Sequence, residues 1–565
     1  MKRALLSVVL LIAAAGVLLL QTAPPPPKLA AIMPSGALLY LEAQDFGRLL
    51  REWDASKVKA DWLSSTNHEV FSHSNLFIKL QGVYDEYGAA AGFLPGLKSV
   101  SEIAGTESAL ALYEIHDVQF LYVTRIADAD LMKSQLWTVR DKFEQRQAGG
   151  AAFYLRSDPA SHRTVAFAFT NGYLLLATRD DLIAQALELL AGGKGPALES
   201  DRWYRESTAA AARPGELRLV MNLESLEKST YFRSYWIQRN ASVVKRYWAG
   251  IADVQQSEDA ITENRIFLRA PEAAESGASN GATASGEAVS NLVTLVPPQA
   301  GLYKVSPIVD PNAVATLIVQ KLIAPEPSAF GNEREAPLAA SPDAVAGSEA
   351  DLETRIDQQP LPTGAGIPDS IAALRELAAN AAGRAVLMLQ SSADAATFIR
   401  TPAVIVLDGA QDWNRDAVKH GLSVAAGDLW TTSQLGAGWV SGGDQMDRLD
   451  GLGSLAFAIR GRLLFLGNDV PLLTAVVNRP VGTASAATLT YAAGFRHLQE
   501  RAGFERITAA LEFGKSADDH APPFYSGNIA SLSRVLSPIG EIDIRERDRG
   551  GSMLQTVTYR FARVP

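Results

Sequence analysis

Short runs of β-branched and aromatic residues recur along this chain. Each pair of runs is split by a polar turn and followed by apolar residues at helical spacing. Residues 165–170 and 173–178 are two such runs, separated by Asn171-Gly172. Asn-Gly takes up positive φ readily and matches strand twist, so the pattern predicts a β-hairpin. Asp180-Asp181 then stand where a helix is capped, and Leu182, Ile183, Ala186, Leu189 and Leu190 follow at helical spacing up to Gly192-Gly193. The grammar returns at Leu455–Ile459, Gly461 and Leu463–Phe465, with Asn468-Asp469 as cap, Pro471 in the first turn, and Leu472, Leu473, Val476 and Val477 behind it. Earlier, residues 108–115 and 118–125 flank His116-Asp117, and Met132, Leu136, Val139 and Phe143 predict an apolar helical stripe. Each unit reads as antiparallel strands with one face covered by a helix, an α+β architecture.

The two halves echo each other in order. Pro34 opens PSGALLY and Pro297 opens PPQAGLY; the hairpin at 165–176 matches that at 455–465; residues 252–268 resemble 541–561. The spacing between matching segments grows along the chain, as an insertion near 324–367 would cause. That stretch and residues 271–291 are rich in Ala, Ser, Gly, Pro and Glu, too poor in large apolar groups to offset the entropy of ordering, and both read as flexible. The expected layout is a signal anchor at 1–23 and a Pro-rich linker at 24–32. A first α+β repeat at 33–270 and a flexible linker at 271–292 follow, then a second repeat at 293–565 with its insertion at 324–367.

Composition and the N-terminus change the picture in one respect, address. Lys2 and Arg3 precede seventeen uncharged residues, Ala4 to Leu20, and Pro24 to Pro27 follow. Cations, apolar core and polar break make an export signal. Seventeen residues is the short end of a membrane-spanning helix. Cleavage after Ala23 would put Gln21 at −3 and Pro24 at +1, which disfavours the peptidase, so the segment reads as one uncleaved transmembrane helix. The positive flank keeps the N-terminus inside and places the rest outside the cytoplasm. The 565 residues contain no cysteine, which excludes disulfides, thiolate metal sites, cysteine nucleophiles and a lipid-modified N-terminal cysteine. The net charge of −10 is spread without a basic block, so no nucleic acid partner is expected.

At this level the chain resembles a family of uncharacterised, exported, membrane-anchored bacterial proteins classed as a domain of unknown function. The resemblance rests on the opening strand of Pro34 to Tyr40 and the Ala-Phe-Ala and Leu-Leu-Leu hairpin at 166–176. It covers most of residues 33–270 and, more loosely, 296–562. It implies a bacterial cell-membrane location, single-pass and periplasmic, and no site residues.

Candidate chemistry is sparse. His68-Glu69 and His73 approach a zinc-protease signature, but its two histidines must stand at i and i+4 to share a helix face; here they are five apart. Asp444, Asp447 and Asp450 lack the alternate spacing of a calcium loop and read as a solvated helical face. Ser441-Gly442-Gly443 reads as a bend and Leu361 to Gly364 as loop. Tyr231, Phe232, Tyr235 and Trp236 make an i, i+4 aromatic stripe, with Tyr247 and Trp248 beyond, suited to a core or to a partner or lipid face. No catalytic, cofactor-binding or metal-ligating residue emerges. The expectation is a membrane-tethered, non-catalytic binding or scaffolding protein of the bacterial envelope. Its partners would be the cytoplasmic membrane, through the N-terminal helix, and an envelope protein or apolar ligand. The alternatives are a periplasmic hydrolase with a dispersed site, or a carrier of an apolar ligand.

Overall fold

The structure, a computed structural model, describes residues 27–73, 75–228, 246–271, 281–323, 369–391, 401–431, 438–441, 446–450, 454–482, 488–500 and 535–562. The expected N-terminal helix, the insertion at 324–367 and the aromatic stripe at 231–236 lie outside these residues. Among the described residues no helix is long and apolar enough to cross a membrane. The chain divides into two compact units, one of residues 1–47 and 84–205, the other of residues 48–83 and 206–565.

In the first unit, strand β1 (Leu39–Ala43) precedes a run of helices: α1 (Phe46–Ala55), α2 (Lys57–Leu63), α3 (Thr66–Ser72) and α4 (Asn75–Ala91), of which residues 48–83 belong to the second unit. Then come β2 (Ser108–Glu114), β3 (Gln119–Arg125), β4 (Glu144–Ala148), β5 (Ala151–Ser157), β6 (Thr164–Thr170) and β7 (Tyr173–Ala177). They pair antiparallel in the order β4-β5-β6-β7-β3-β2-β1. The β6–β7 turn is the expected one, with Asn171 at φ 52° and Gly172 at φ 75°. Helix α5 (Asp180–Leu190) follows and lies against β6 and β7, burying Leu182, Ile183, Ala186 and Leu187. Below the sheet, Phe143, Val165, Phe167 and Leu174 pack with Leu131, Leu136 and Ala90.

The expected stripe from Met132 to Phe143 is not one helix. Single turns at Asp128–Leu131 and Gln135–Thr138 are followed by a 3-10 turn at Arg140–Lys142. Ser134 caps the second turn by accepting a hydrogen bond from Trp137 N at 3.2 Å, which resets the register. Leu136 and Phe143 are buried and Met132 is exposed.

The second unit contains β8 (Leu217–Met221), β9 (Tyr247–Gln256), β10 (Ala260–Arg269), β11 (Leu302–Pro307), β12 (Ala385–Gln390), β13 (Ala403–Asp408), β14 (Trp439–Ser441), β15 (Met446–Asp450), β16 (Ser454–Arg460), β17 (Leu463–Gly467), β18 (Tyr491–Arg496), β19 (Ile539–Asp548) and β20 (Ser552–Phe561). Its antiparallel order is β14-β15-β16-β17-β13-β12-β11-β18-β19-β20-β10-β9-β8. The run β14 to β11 repeats, strand for strand, the order β4 to β1 of the first unit, and β18-β19-β20 repeats β8-β9-β10. Strands β10 and β20 pair through equivalent residues. Asn264 faces Thr556, each the fifth residue of its strand, and the pairs on either side are Glu263 with Val557 and Arg265 with Gln555. That register is what a local two-fold axis between Asn264 and Thr556 produces.

Around β13 both faces of this second sheet are covered, where one was expected. Every residue of β13 is buried. Ile405 and Leu407 pack with helices at Pro311–Ile318 and Asp369–Ala379 and with α7 (Arg415–Thr431) on one side. Val404 and Val406 pack on the other with α6 (Gly281–Val293) and α8 (Val470–Val477). Of the stretch read as a flexible linker at 271–292, residues 281–292 lie in helix α6 and residues 272–280 lie outside the described residues. Ala288, Val289 and Leu292 are buried, and small residues let the helix approach its neighbours closely: a Cβ on Gly286 would come within 2.5 Å of the Thr488 methyl. Ser290 Oγ accepts from Leu489 N at 3.0 Å, tying the helix to the chain leading into β18.

Candidate functional site

The first unit contains a cleft of about 500 Å³ between the β2–β3 turn, the β5–β6 loop, β4 and the start of α5. The β5–β6 loop is organised by Asp158, whose carboxylate accepts from Ser161 N and Ser161 Oγ, each at 2.8 Å. Those hydrogen bonds, the backbone one first, hold the Asp158 carboxyl below the usual range. They also shape a turn in which His162 takes φ 59°, uncommon for a residue with a side chain. The turn delivers Arg163 to the floor of the cleft.

Arg163 is held from several directions. Its Nε donates to Glu86 Oε2 at 2.8 Å, its Nη1 donates to Asp117 O at 2.7 Å, and its guanidinium lies 5.2 Å from the centre of the Tyr87 ring. Burial works against its charge, but the hydrogen bond it donates to Glu86 and the carboxylates of Glu86 and Asp117 prevail and its pKa rises. Tyr87 in turn donates to Asp117 O at 2.9 Å, and burial pushes its hydroxyl pKa up.

The rim is looser. Arg146 reaches Asp180 at 3.2 Å and Glu144 at 3.1 Å, and Arg179 Nε reaches Asp181 at 2.8 Å. These side chains are 40–64% exposed. Pairs so wet contribute about 0–1 kcal/mol and exchange readily. The hydrogen bond from Arg146 lowers the Glu144 carboxyl pKa. Helix α5 begins here with Arg179 as its N-cap and no side-chain cap, so the acids at Asp180 and Asp181 meet the positive end of the helix. On the cleft lining, Gln119 Oε1 is buried without a donor among the described residues.

Three guanidinium groups, three carboxylates, the amide of Gln119 and the imidazole of His162 thus line one opening. The arrangement suits a polar ligand that brings both donors and acceptors, and its lining is the opposite of what a carrier of apolar molecules needs. Ser161 Oγ is committed to Asp158 and accepts from Arg163 N at 3.3 Å, an orienting role within the loop.

The residues that stood out in the sequence are scattered. His68 lies on α3 against Trp62, with ring centres 5.9 Å apart, and His73 ends that helix and bonds Glu69 O at 2.7 Å. Among the described residues no group of three or more His, Asp or Glu side chains is placed to hold a metal. Asp447 and Asp450 lie on strand β15, not on a helix, and Asp444 lies outside the described residues. Asp447 is wholly buried, not solvated: Arg415 at 2.6 Å, Lys419 at 3.1 Å and Ser441 Oγ at 2.7 Å meet its two oxygens. Ser441 belongs to β14 and anchors that bond. Tyr247 and Trp248 lie on β9, where Tyr247 packs 5.4 Å from Phe267 and donates to Met553 Sδ at 3.3 Å. No sequence pattern singled out Arg146, Arg163 or Gln119 because they are far apart along the chain. Asp117 and Asp180 were noted only as turn and cap residues.

No family model matches the chain, and no curated protein matches it. Among solved structures, three crystal forms of TP0453 are similar to it. Form I is 10% identical with TM-score 0.24 and form IV 12% identical with TM-score 0.25, covering 44% and 43% of this chain and 81% of their own. Form III is 10% identical with TM-score 0.26, covering 44% of this chain and 82% of its own.

Proposed function

We propose that the chain is a membrane-tethered, extracytoplasmic binding or scaffolding protein of the bacterial envelope, non-catalytic, and built by internal duplication. The tether is the stretch from Ala4 to Leu20, and the duplication is supported by the repeated strand order and the two-fold register of β10 on β20. The observation that carries the binding reading is the cleft lining, where the guanidinium groups of Arg146 and Arg179 are held, among the described residues, only by wet ion pairs with Glu144, Asp180 and Asp181. Such pairs contribute about 0–1 kcal/mol each, so they give way at little cost. A partner segment that brings acceptors for the guanidinium groups and donors for the carboxylates replaces them.

The test is photo-crosslinking in living cells from position 117 of the full-length protein. The proposal expects a discrete adduct that is lost on combining Arg146→Ala with Arg179→Ala, while the thermal midpoint stays near that of the parent. An adduct indifferent to both substitutions, or no adduct at all, overturns it.

A further inference from the structure

Strand β4 ends the first sheet. Among the described residues it pairs with β5 alone, from Glu144 opposite Leu155 to Ala148 opposite Ala151, and β5 pairs in turn with β6. In an antiparallel ladder alternate residues turn their N–H and C=O groups away from the neighbouring strand. On β4 these outward groups meet no backbone partner among the described residues, and Glu144, Gln145, Arg146 and Gln147 are all exposed. Sheet edges are commonly closed to further strands by a proline, a lysine or a bulge. Strand β4 contains neither proline nor lysine, and its register with β5 runs without a shift.

The side chains select the strand that fits this edge. They alternate, so Glu144 and Arg146 stand on one side of β4 and Gln145 and Gln147 on the other. Glu144 and Arg146 meet each other along the strand at 3.1 Å, 64% and 40% exposed. Two identical antiparallel strands must set residues of like orientation opposite each other, so a two-fold axis between them passes at a residue. With the axis at Glu144 or at Arg146, like charges face each other. With the axis at Gln145, Glu144 of each strand faces Arg146 of the other, twice, and Gln145 faces Gln145. The chain uses this kind of pairing once already, where the equivalent strands β10 and β20 meet with Asn264 opposite Thr556.

We infer that β4 pairs with β4 of a second copy of this chain, antiparallel, about a two-fold axis at Gln145. Each in-strand ion pair is exchanged for a cross-strand one, so no charge loses its partner and the backbone ladder is the gain. The contact is isologous and closes at two copies, because each β4 offers one free edge. The inference goes beyond the cleft reading: it uses the backbone edge of β4 and does not depend on what enters the cleft.

The absence of cysteine makes the register readable. Full-length Gln145→Cys and, as control, Gln147→Cys are oxidised in isolated membranes with copper–phenanthroline and run on non-reducing gels. Directly opposite residues have Cβ atoms about 5 Å apart, close enough for a disulfide. Two residues 147 stand four positions out of register, about 13 Å along the strands. The expected result is an adduct of two copies at 145, several-fold stronger than at 147. Adding Glu144→Arg to Gln145→Cys sets cation against cation twice and is expected to weaken the adduct several-fold. Adding Arg146→Glu as well restores both pairs and is expected to restore the adduct. No adduct at 145, equal adducts at 145 and 147, indifference to Glu144→Arg, or failure of the second swap to restore the adduct overturns the inference. An adduct at 145 whose mass is not that of two copies overturns it in favour of a different protein's strand.

Discussion

Asp447 carries a pH dependence whose sign follows from its neighbours. Burial alone would raise its pKa, but the hydrogen bonds from Ser441 and Lys419 and the charges of Arg415 and Lys419 outweigh it, and the carboxyl pKa is lowered. An aspartate whose folded pKa lies below its unfolded value, about 3.9, contributes stability that is complete above that value and is lost as pH falls through the folded one. Asp447→Asn is therefore expected to cost about 1–3 kcal/mol at neutral pH. Arg415 and Lys419, at 42% and 25% exposure, regain water when the charge is removed, which keeps the loss below that of a fully buried pair. Denaturant curves of the two proteins should converge as pH falls below about 4; a gap that persists unchanged would show that shape, not charge, matters at this position. Asp408 pulls the other way. Burial raises its pKa despite Arg384 and Arg462, so its contribution is complete below the unfolded value and lost as pH rises through the folded one.

At the scale of elements, the joint between β10 and β20 has the clearest consequence. Two equivalent strands meet about Asn264 and Thr556, where Thr556 Oγ1 donates to Asn264 Oδ1 at 3.0 Å, and Arg265 reaches Gln555 Oε1 at 2.9 Å. Proline in a central strand removes a ladder donor. Thr556→Pro should raise amide exchange along β10 and β20 while leaving β16 and β17 protected; equal loss of protection in all four strands would mean that the sheet opens as one cooperative piece. Elements whose cause is local were legible beforehand. Asn171-Gly172 turns the hairpin by its own backbone preference, and Asp469 caps α8 by accepting from Leu472 N at 2.8 Å. Elements decided by distant partners were not. Helix α6 is too poor in large side chains to announce itself, and it is fixed by Leu489, 199 residues from Ser290. Asp447 looked solvated because Arg415, 32 residues away, supplies the charge that permits burial. The cleft was illegible for the same reason, since Arg163 and Glu86 stand 77 residues apart.

For the whole molecule, sequence and fold bear on different claims. The repeated strand order supports duplication, whereas the address rests on the first twenty-seven residues, where charge pattern and apolar length carry the reading. The proposed cleft partner depends on where the body is, so topology is the central claim. Protease added to intact spheroplasts tests it most directly, followed by blotting for an epitope near residue 550 and for a cytoplasmic marker. The account predicts that the epitope-bearing body is degraded while the marker survives. Full-length chain that resists until the cells are lysed would contradict it.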